Sequence, residues 1–404
     1  MVESKKSVIK EVLSLKNFIR ILVAGSLLIA GSALADEAST NVRMNQLEER
    51  LEKLEKKSSE SFMDKVKISG IIAGAYQYQS ANADNDDFGR GGIVFQPEVS
   101  ICPTEADEVF FKFGFGAGNG LNVDKYAFNL TPWASDYEDD VKDINGRNRD
   151  YLLTVWWKHV FSLGERHTLG ISGGIIDSTD YLDENNYAND QNTQFMNEAF
   201  VNSPIAFLPS YDIGGALEWE VGAFSAKGVI MGVGENDDGN AYSFYGMQLA
   251  YSVDSSMGQG TYRIIFDGTS KDFAKPGGGK ASLKGVTISC DQEIGRLLGV
   301  WVRFSWQDDK PTVDYDYMYS GGVNISGALW GREQDNAGLG YAYLGGGNAD
   351  IDNSQVMEGY VRFGLWDFCA LTFDAQYLDD KYKGASDHED VKGWVTGVRV
   401  TVEF

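Results

Sequence analysis

The sequence predicts an all-β fold, a transmembrane antiparallel β-barrel of about 16 strands, and three observations lead there. Apolar residues recur with a period of two from Val66 to Phe404, the pattern of strands with two unlike faces. The chain holds 47 glycines, only seven prolines and 13% aromatic residues, a composition of many strands joined by Gly-rich turns. An export signal precedes all of this.

Lys5, Lys6, Lys10, Lys16 and Arg20 make a basic start, Ile21 to Gly31 an apolar run, and Ala33-Leu34-Ala35 an A-x-A cleavage site before Asp36. That order reads as a signal peptide over residues 1–35. The 15 residues from Ile21 to Ala35 fall short of the roughly 20 that a spanning helix needs. No cysteine lies near the cleavage site, which argues against a lipid anchor. Mean hydropathy is slightly negative, −0.27. In a barrel only alternate residues meet lipid, so a low average is compatible with the membrane.

Formal net charge is −24; the leader carries five basic and two acidic residues, and removing that +3 leaves −27 on the remaining 369 residues. Nucleic acid is excluded as a partner, because its binding rests on Lys and Arg neutralising phosphates. Acidic walls would attract cations and repel anions, and many of these charges simply solvate loops. Cys102, Cys290 and Cys369 are odd in number and widely spaced. They exclude a full disulfide framework while leaving room for one bridge, and read first as lone strand residues.

Residues 36–62 carry a helical period instead. Met44, Leu47, Leu51 and Leu54 stand at 3-4-3 spacing among charged residues, a heptad seam of barely two heptads. It predicts a short coiled-coil-like helix and, with it, a homo-oligomer. The barrel is expected over 63–404.

Sixteen stripes occupy that range. Ile68, Ile72, Tyr76 and Tyr78 form the first, then Ile93, Phe95, Val99 and Ile101, then Val109, Phe111, Phe113, Phe115 and Ala117. Leu153, Val155, Trp157 and Phe161 come next, then Leu169, Ile171 and Ile175. Ile213 to Val221, Phe224 to Ile230, Met247 to Val253, Tyr262 to Phe266 and Val286 to Cys290 continue the alternation. The last six are carried by Leu298 to Trp306, Val323 to Leu329, Leu339 to Tyr343, Met357 to Leu365, Leu371 to Tyr377 and Trp394 to Phe404.

A soluble sandwich also alternates. The membrane is favoured by aromatics at stripe ends (Tyr76, Tyr78, Trp157, Phe161, Trp306, Trp330, Trp366, Trp394) and by connections that alternate short and long. Gly222-Ala223 and Trp366-Asp367 are short; 119–149, 177–210, 268–281, 307–318 and 379–391 are long. Interfacial girdles, periplasmic turns and external loops have these properties.

The run Gly173-Gly174-Ile175-Ile176-Asp177-Ser178-Thr179-Asp180-Tyr181-Leu182-Asp183, continued through Thr193-Gln194-Phe195-Met196-Asn197 to Asn202, resembles the signature region of the carbohydrate-selective porins, the OprB-like family. Leu371 to Tyr377 and Lys392 to Arg399 are similar to the same family. The resemblance implies a 16-stranded barrel in the bacterial outer membrane, with a sugar-permeable channel.

Charged residues also sit opposite the apolar stripes: Lys112, Lys158, Glu218, Glu220, Lys227, Arg263, Arg303, Glu358, Arg362, Arg399 and Glu403. An Arg or Lys facing lipid at the midplane costs about 2–4 kcal/mol, so these should line water. Opposed rows of Arg and Glu would set a transverse field. Trp156, Trp301 and Tyr360 are candidates for stacking on sugar rings or for packing against an inward loop. The 34-residue 177–210 connection, with Asp177, Asp180, Asp183, Asn185, Tyr187 and Asp190, is long enough to fold inward as a constriction.

Catalytic and metal motifs are weak. Gly170-Ile171-Ser172-Gly173-Gly174 fits G-x-S-x-G but lies in an alternating strand rather than at a strand-to-helix elbow. His159, His167 and His388 lack metal spacing. Asp84-Asn85-Asp86-Asp87 fails the EF-hand pattern, since Phe88 and Phe95 stand where oxygens belong. No cofactor and no enzymatic activity are expected. The expected partners are outer-membrane lipid and small polar solutes, sugars first. A cation-preferring general porin and a tethering barrel acting through its amino-terminal helix remain as alternatives.

Overall fold

The computed structural model describes residues 62–82, 86–384, 386 and 388–404. The expected leader, the heptad seam and part of the 84–87 acidic cluster lie outside the described residues. Nineteen strands occur among those described: β1 Val66–Ala81, β2 Phe88–Ile101, β3 Asp107–Phe113, β4 Phe115–Ala117, β5 Leu152–Gly164, β6 His167–Ile176, β7 Asp212–Val221, β8 Phe224–Val233, β9 Tyr242–Ser255, β10 Gly258–Thr269, β11 Phe273–Ala274, β12 Lys280–Ala281, β13 Lys284–Ile294, β14 Leu298–Gln307, β15 Tyr315–Ser326, β16 Asn336–Gly346, β17 Ile351–Trp366, β18 Cys369–Tyr382 and β19 Val391–Glu403. β11 and β12 form a small separate hairpin in an external loop. β3 and β4 are one stave interrupted at Gly114, paired with β2 and β5 on either side.

The barrel therefore has 16 antiparallel staves, and it closes: Ile72 faces Phe95 on β2 and Val402 on β19. Closure leaves no edge, and in lipid every backbone N–H and C=O must find its partner within the protein. All sixteen stripes expected from sequence fall on these staves. Their residues are the exposed ones, among them Ile68, Leu217, Met247, Leu339 and Phe373. Alternate positions hold buried polar groups such as Gln77, Gln248, Thr287, Ser305 and Thr401. Apolar outside and polar inside inverts a soluble core and matches a lipid-facing wall. Trp157, Trp219 and Trp366 lie toward the short-turn end of the outer face; Tyr76, Trp306 and Trp394 lie toward the other.

Two residues depart from their stripes, and one of them, Leu329, lies past the end of β15 in the 3-10 turn Gly327–Trp330. The other, Leu153, is fully buried against Val141 and Ile144, not on the outer face with Trp157. The register between β3 and β5 shifts at Lys112/Phe113, and that shift turns Leu153 inward.

The two longest connections, 118–151 and 177–211, fold into the barrel. Leu121, Phe128, Leu130, Phe195, Ala199, Phe200 and Ile205 from these loops pack on Trp301, Met318, Leu344, Val356, Tyr360 and Val395 of the wall. The interior along β14–β19 is thereby filled with an apolar core, and smaller apolar clusters fix the same loops to β1–β2 through Trp133, Tyr137 and Met196 and to β6–β9 through Tyr181 and Leu182.

Candidate functional site: the acidic aperture beside the inward loop

Asp177 draws the two ends of the 177–211 loop together. Its Oδ1 accepts from the Thr179 backbone N–H at 3.0 Å, the Thr179 hydroxyl at 2.8 Å and the Ser210 hydroxyl at 3.0 Å. Ser178 donates to the Pro209 carbonyl at 2.7 Å. Asp183 then turns the chain at φ 60°, a left-handed conformation that aspartate tolerates better than most residues.

Three charged wall residues pin the loop across the lumen. Arg303 on β14 reaches Asp183 Oδ2 at 2.9 Å and donates to the carbonyls of Ala188 at 2.8 Å and Phe200 at 3.4 Å. Arg399 on β19 donates to the carbonyls of Gln191 at 2.6 Å and Gln194 at 2.9 Å. Glu358 on β17 accepts the backbone N–H groups of Met196 at 2.5 Å and Asn197 at 2.9 Å. Charged groups thus satisfy backbone that leaves regular structure inside a barrel, where an orphaned polar group costs about 1–3 kcal/mol.

Between the loop and the β1–β3 wall lies a cavity of about 1000 Å³. Gln96, Glu98 and Lys112 line it from the wall, Asp136 from the 118–151 loop, and Asp177, Asp180, Glu184, Asp190 and Glu198 from the 177–211 loop. With Glu403, eight carboxylates meet a single basic side chain, Lys112. Gln96 and the Tyr211 hydroxyl both donate to Asp136 Oδ2, the latter at 2.7 Å. Desolvation raises the Asp136 carboxyl above the ordinary range, with Lys112 opposing. It pushes Glu198 up to about 6, with hydrogen bonds from Thr131 opposing. Asp180 touches lumen water yet is hemmed in by protein; desolvation and then Asp177 raise its carboxyl.

The residues expected to line the pore divide into two groups. Lys112, Arg362, Asp177, Asp180 and Asp190 line cavities. Lys158 pairs with Glu218 at 2.5 Å, and Glu218 also reaches Lys227 at 3.7 Å. Glu220 accepts from Thr168 at 3.3 Å in an exposed position. Arg263 pairs with Asp291, and both are buried. Arg303, Arg399 and Glu358 are fully buried. The expected open rows of Arg and Glu are therefore corrected at Arg303, Arg399 and Glu358, which the inward loop covers, and at Arg263, which is spent on Asp291. Trp301 and Tyr360 are covered as well: Phe195 meets both edge-on, Phe200 meets Trp301, and both rings are at most 2% exposed. They pack the loop and offer no face to a sugar. Trp156 stacks on Phe110 at 5.0 Å. In the loop, Asn185 is buried and donates to the Ser289 hydroxyl at 3.2 Å, Asp183 is held by Arg303, and Tyr187 lies on Gly299.

Sequence reading missed Gln96, Glu98, Asp136, Glu184 and Glu198. Gln96 and Glu98 alternate with Phe95, Pro97 and Val99, so parity alone could have found them. The others lie in loops without a period.

A family model for the carbohydrate-selective porins, OprB family, matches residues 134–404. An uncharacterized protein of Aquifex aeolicus is 30% identical over 306 residues, covering 75% of this chain and 87% of its own length. The high-pH structure of Pseudomonas putida OprB shares the fold with a TM-score of 0.67 at 16% identity, over 85% of this chain and 95% of that one. The outer membrane channel DcaP of Acinetobacter baumannii aligns with a TM-score of 0.51 at 11% identity, over 84% and 97%. With a closed 16-stave barrel, an inward loop and a polar lumen, the chain belongs to the carbohydrate-selective porin family and is an outer-membrane porin for small solutes.

Proposed function

We propose that solutes pass between the inward loop and the β1–β3 wall, and that this path admits neutral hydroxyl-rich molecules and cations while rejecting anions. The observation that carries the reading is the lining of the cavity, eight carboxylates against Lys112. Walls of one sign in a low-dielectric surround focus the field, concentrating counter-ions and excluding co-ions. A neutral sugar crosses such a field without charge penalty and finds donors and acceptors in Gln96, Asn189, Asn192 and Asn202. The protein acts as a channel and not as an enzyme. Supporting this, Ser172 of the G-x-S-x-G run lies within β6 and not at a strand-to-helix elbow. The test is swelling of proteoliposomes in isosmotic glucose, glucosamine and gluconate at neutral pH. Glucose and glucosamine should enter and gluconate should lag; equal rates for gluconate and glucosamine would refute the selectivity.

We also propose a homo-oligomer, supported by the Met44-Leu47-Leu51-Leu54 seam. A second copy would bury the apolar stripe that a lone short helix leaves wet.

A further inference from the structure

The outer wall of the barrel carries a groove for which conduction has no use. Its volume is about 970 Å³, and it runs across β7–β10 toward the rim where the long connections leave the barrel, the external side of an outer-membrane barrel. Leu217, Ile230, Tyr245, Met247 and Phe266 form its sides, each exposed on the outer face. Glycines form its floor. Gly228 lies between Leu217 and Met247, and Gly268 between Tyr245 and Lys284.

Neither glycine is required by its surroundings. Beyond its chain neighbours, a Cβ at Gly228 would meet no atom within 4 Å, and one at Gly268 would meet the Leu283 carbonyl oxygen at 3.6 Å, an ordinary contact. Neither backbone is left-handed. A glycine inside a strand gives up packing, and such positions mark the close approach of a ligand or another backbone. Here both face outward, so the approach comes from the membrane.

At its external end the groove meets a cation. Lys284 opens β13, lines the groove and is exposed. Among the described residues it is in no ion pair and no side-chain hydrogen bond. The neighbouring Asp308 gives its carboxylate to Lys310 at 2.5 Å, and Lys284 acts on that carboxylate more weakly than Lys310 does. A lysine at this level extends its stem along apolar surface and its ammonium into the headgroup layer.

We propose that the groove binds one lipid of the outer leaflet, its acyl chain on the glycine floor and its phosphate on Lys284. Methylenes need no polar partner in an apolar furrow, and lysine binds phosphate as a point charge. Charge complementarity selects the occupant: carbon lines the groove toward the membrane centre and an uncommitted ammonium stands at its outer end, the order in which a phosphate-bearing lipid presents chain and headgroup. The remaining acidity of the chain, with a net charge of −24, sets that lysine apart.

The test is native mass spectrometry of the full chain in detergent, titrated with bisphosphorylated lipid A or with the same lipid stripped of its phosphates. The parent should bind the bisphosphorylated lipid saturably, and the stripped one about fivefold more weakly, the effect of one lysine beside an anionic headgroup. Gly228→Phe fills the floor and should weaken binding about tenfold, the worth of roughly two buried methylenes. Lys284→Ser should lose about fivefold and, with it, the preference for phosphate. Lys392→Met, exposed on the same rim at the start of β19, should bind like the parent. Affinities within twofold of the parent in both groove variants would overturn the site. Equal affinity of the parent for the two lipids would do the same, as would a Lys392→Met variant as weak as Lys284→Ser, because any rim charge would then serve. If Gly228→Phe lowers the oligomeric mass and leaves lipid binding intact, the groove seats a second copy of the chain and the lipid site is refuted.

Discussion

At the scale of single residues, the balance of the aperture turns on Lys112. It is the only basic side chain among those lining the large cavity, and the surrounding carboxylates of Asp136, Asp177, Asp180 and Glu98 all act on it. Lys112→Ala is expected to raise the cation-to-anion permeability ratio roughly twofold or more, since the opposing charge inside the focused field is removed. A bi-ionic reversal potential measures it, and an unchanged ratio would place the ion path elsewhere. The same cluster imposes a pH dependence. An acid with a raised pKa takes up its proton at higher pH than usual, so Glu198 becomes neutral as pH falls through about 6. Asp136 and Asp180 shift in the same upward direction. Cation preference should therefore be full at pH 8 and should decline between pH 7 and 5, well above the ordinary carboxylate range. A selectivity flat down to pH 5 would mean that these groups titrate as free carboxylates or lie off the path.

At the scale of elements, the inward loop depends on buried ion pairs. Arg303 and Asp183 are both completely buried. Removing one partner strands the other charge, a loss of about 3–5 kcal/mol, while replacing both is far milder. Arg303→Met should therefore expose the 183–200 backbone to hydrogen exchange and enlarge and destabilise the open current, with the barrel still folded. Arg303→Met combined with Asp183→Asn should recover much of the protection. If the single variant protects the loop as well as the parent does, Arg303 is not its anchor. This element also marks where sequence reading stopped. Parity correctly turned Arg303, Arg399 and Glu358 away from lipid, because the wall separates two solvents and period two records it. Parity carries no information on what covers an inward side chain. Thus Arg303 looked like a wet pore charge and is instead held by the carbonyls of Ala188 and Phe200. Trp301 looked like a sugar platform for the same reason.

At the scale of the molecule, the barrel was the most legible part. Sixteen stripes map onto sixteen staves, and the alternation of short and long connections maps onto its two ends. The family resemblance of Asp177 to Asn202 agrees with a loop whose residues are spent on closing, turning and anchoring the constriction. The path was less legible, because it arises where two loops and three staves meet. Leu47→Asp with Leu51→Asp is expected to lower the oligomeric mass in light scattering while the barrel keeps its β-sheet circular dichroism. An unchanged mass would remove the seam from assembly. The central claim is an acidic aqueous path between the inward loop and the β1–β3 wall, and zero-current potential in a KCl gradient tests it most directly. The account predicts a conducting channel with the sign of cation selectivity at pH 8, weakening toward pH 5. Anion selectivity at pH 8, or a folded barrel that carries no current, would contradict it.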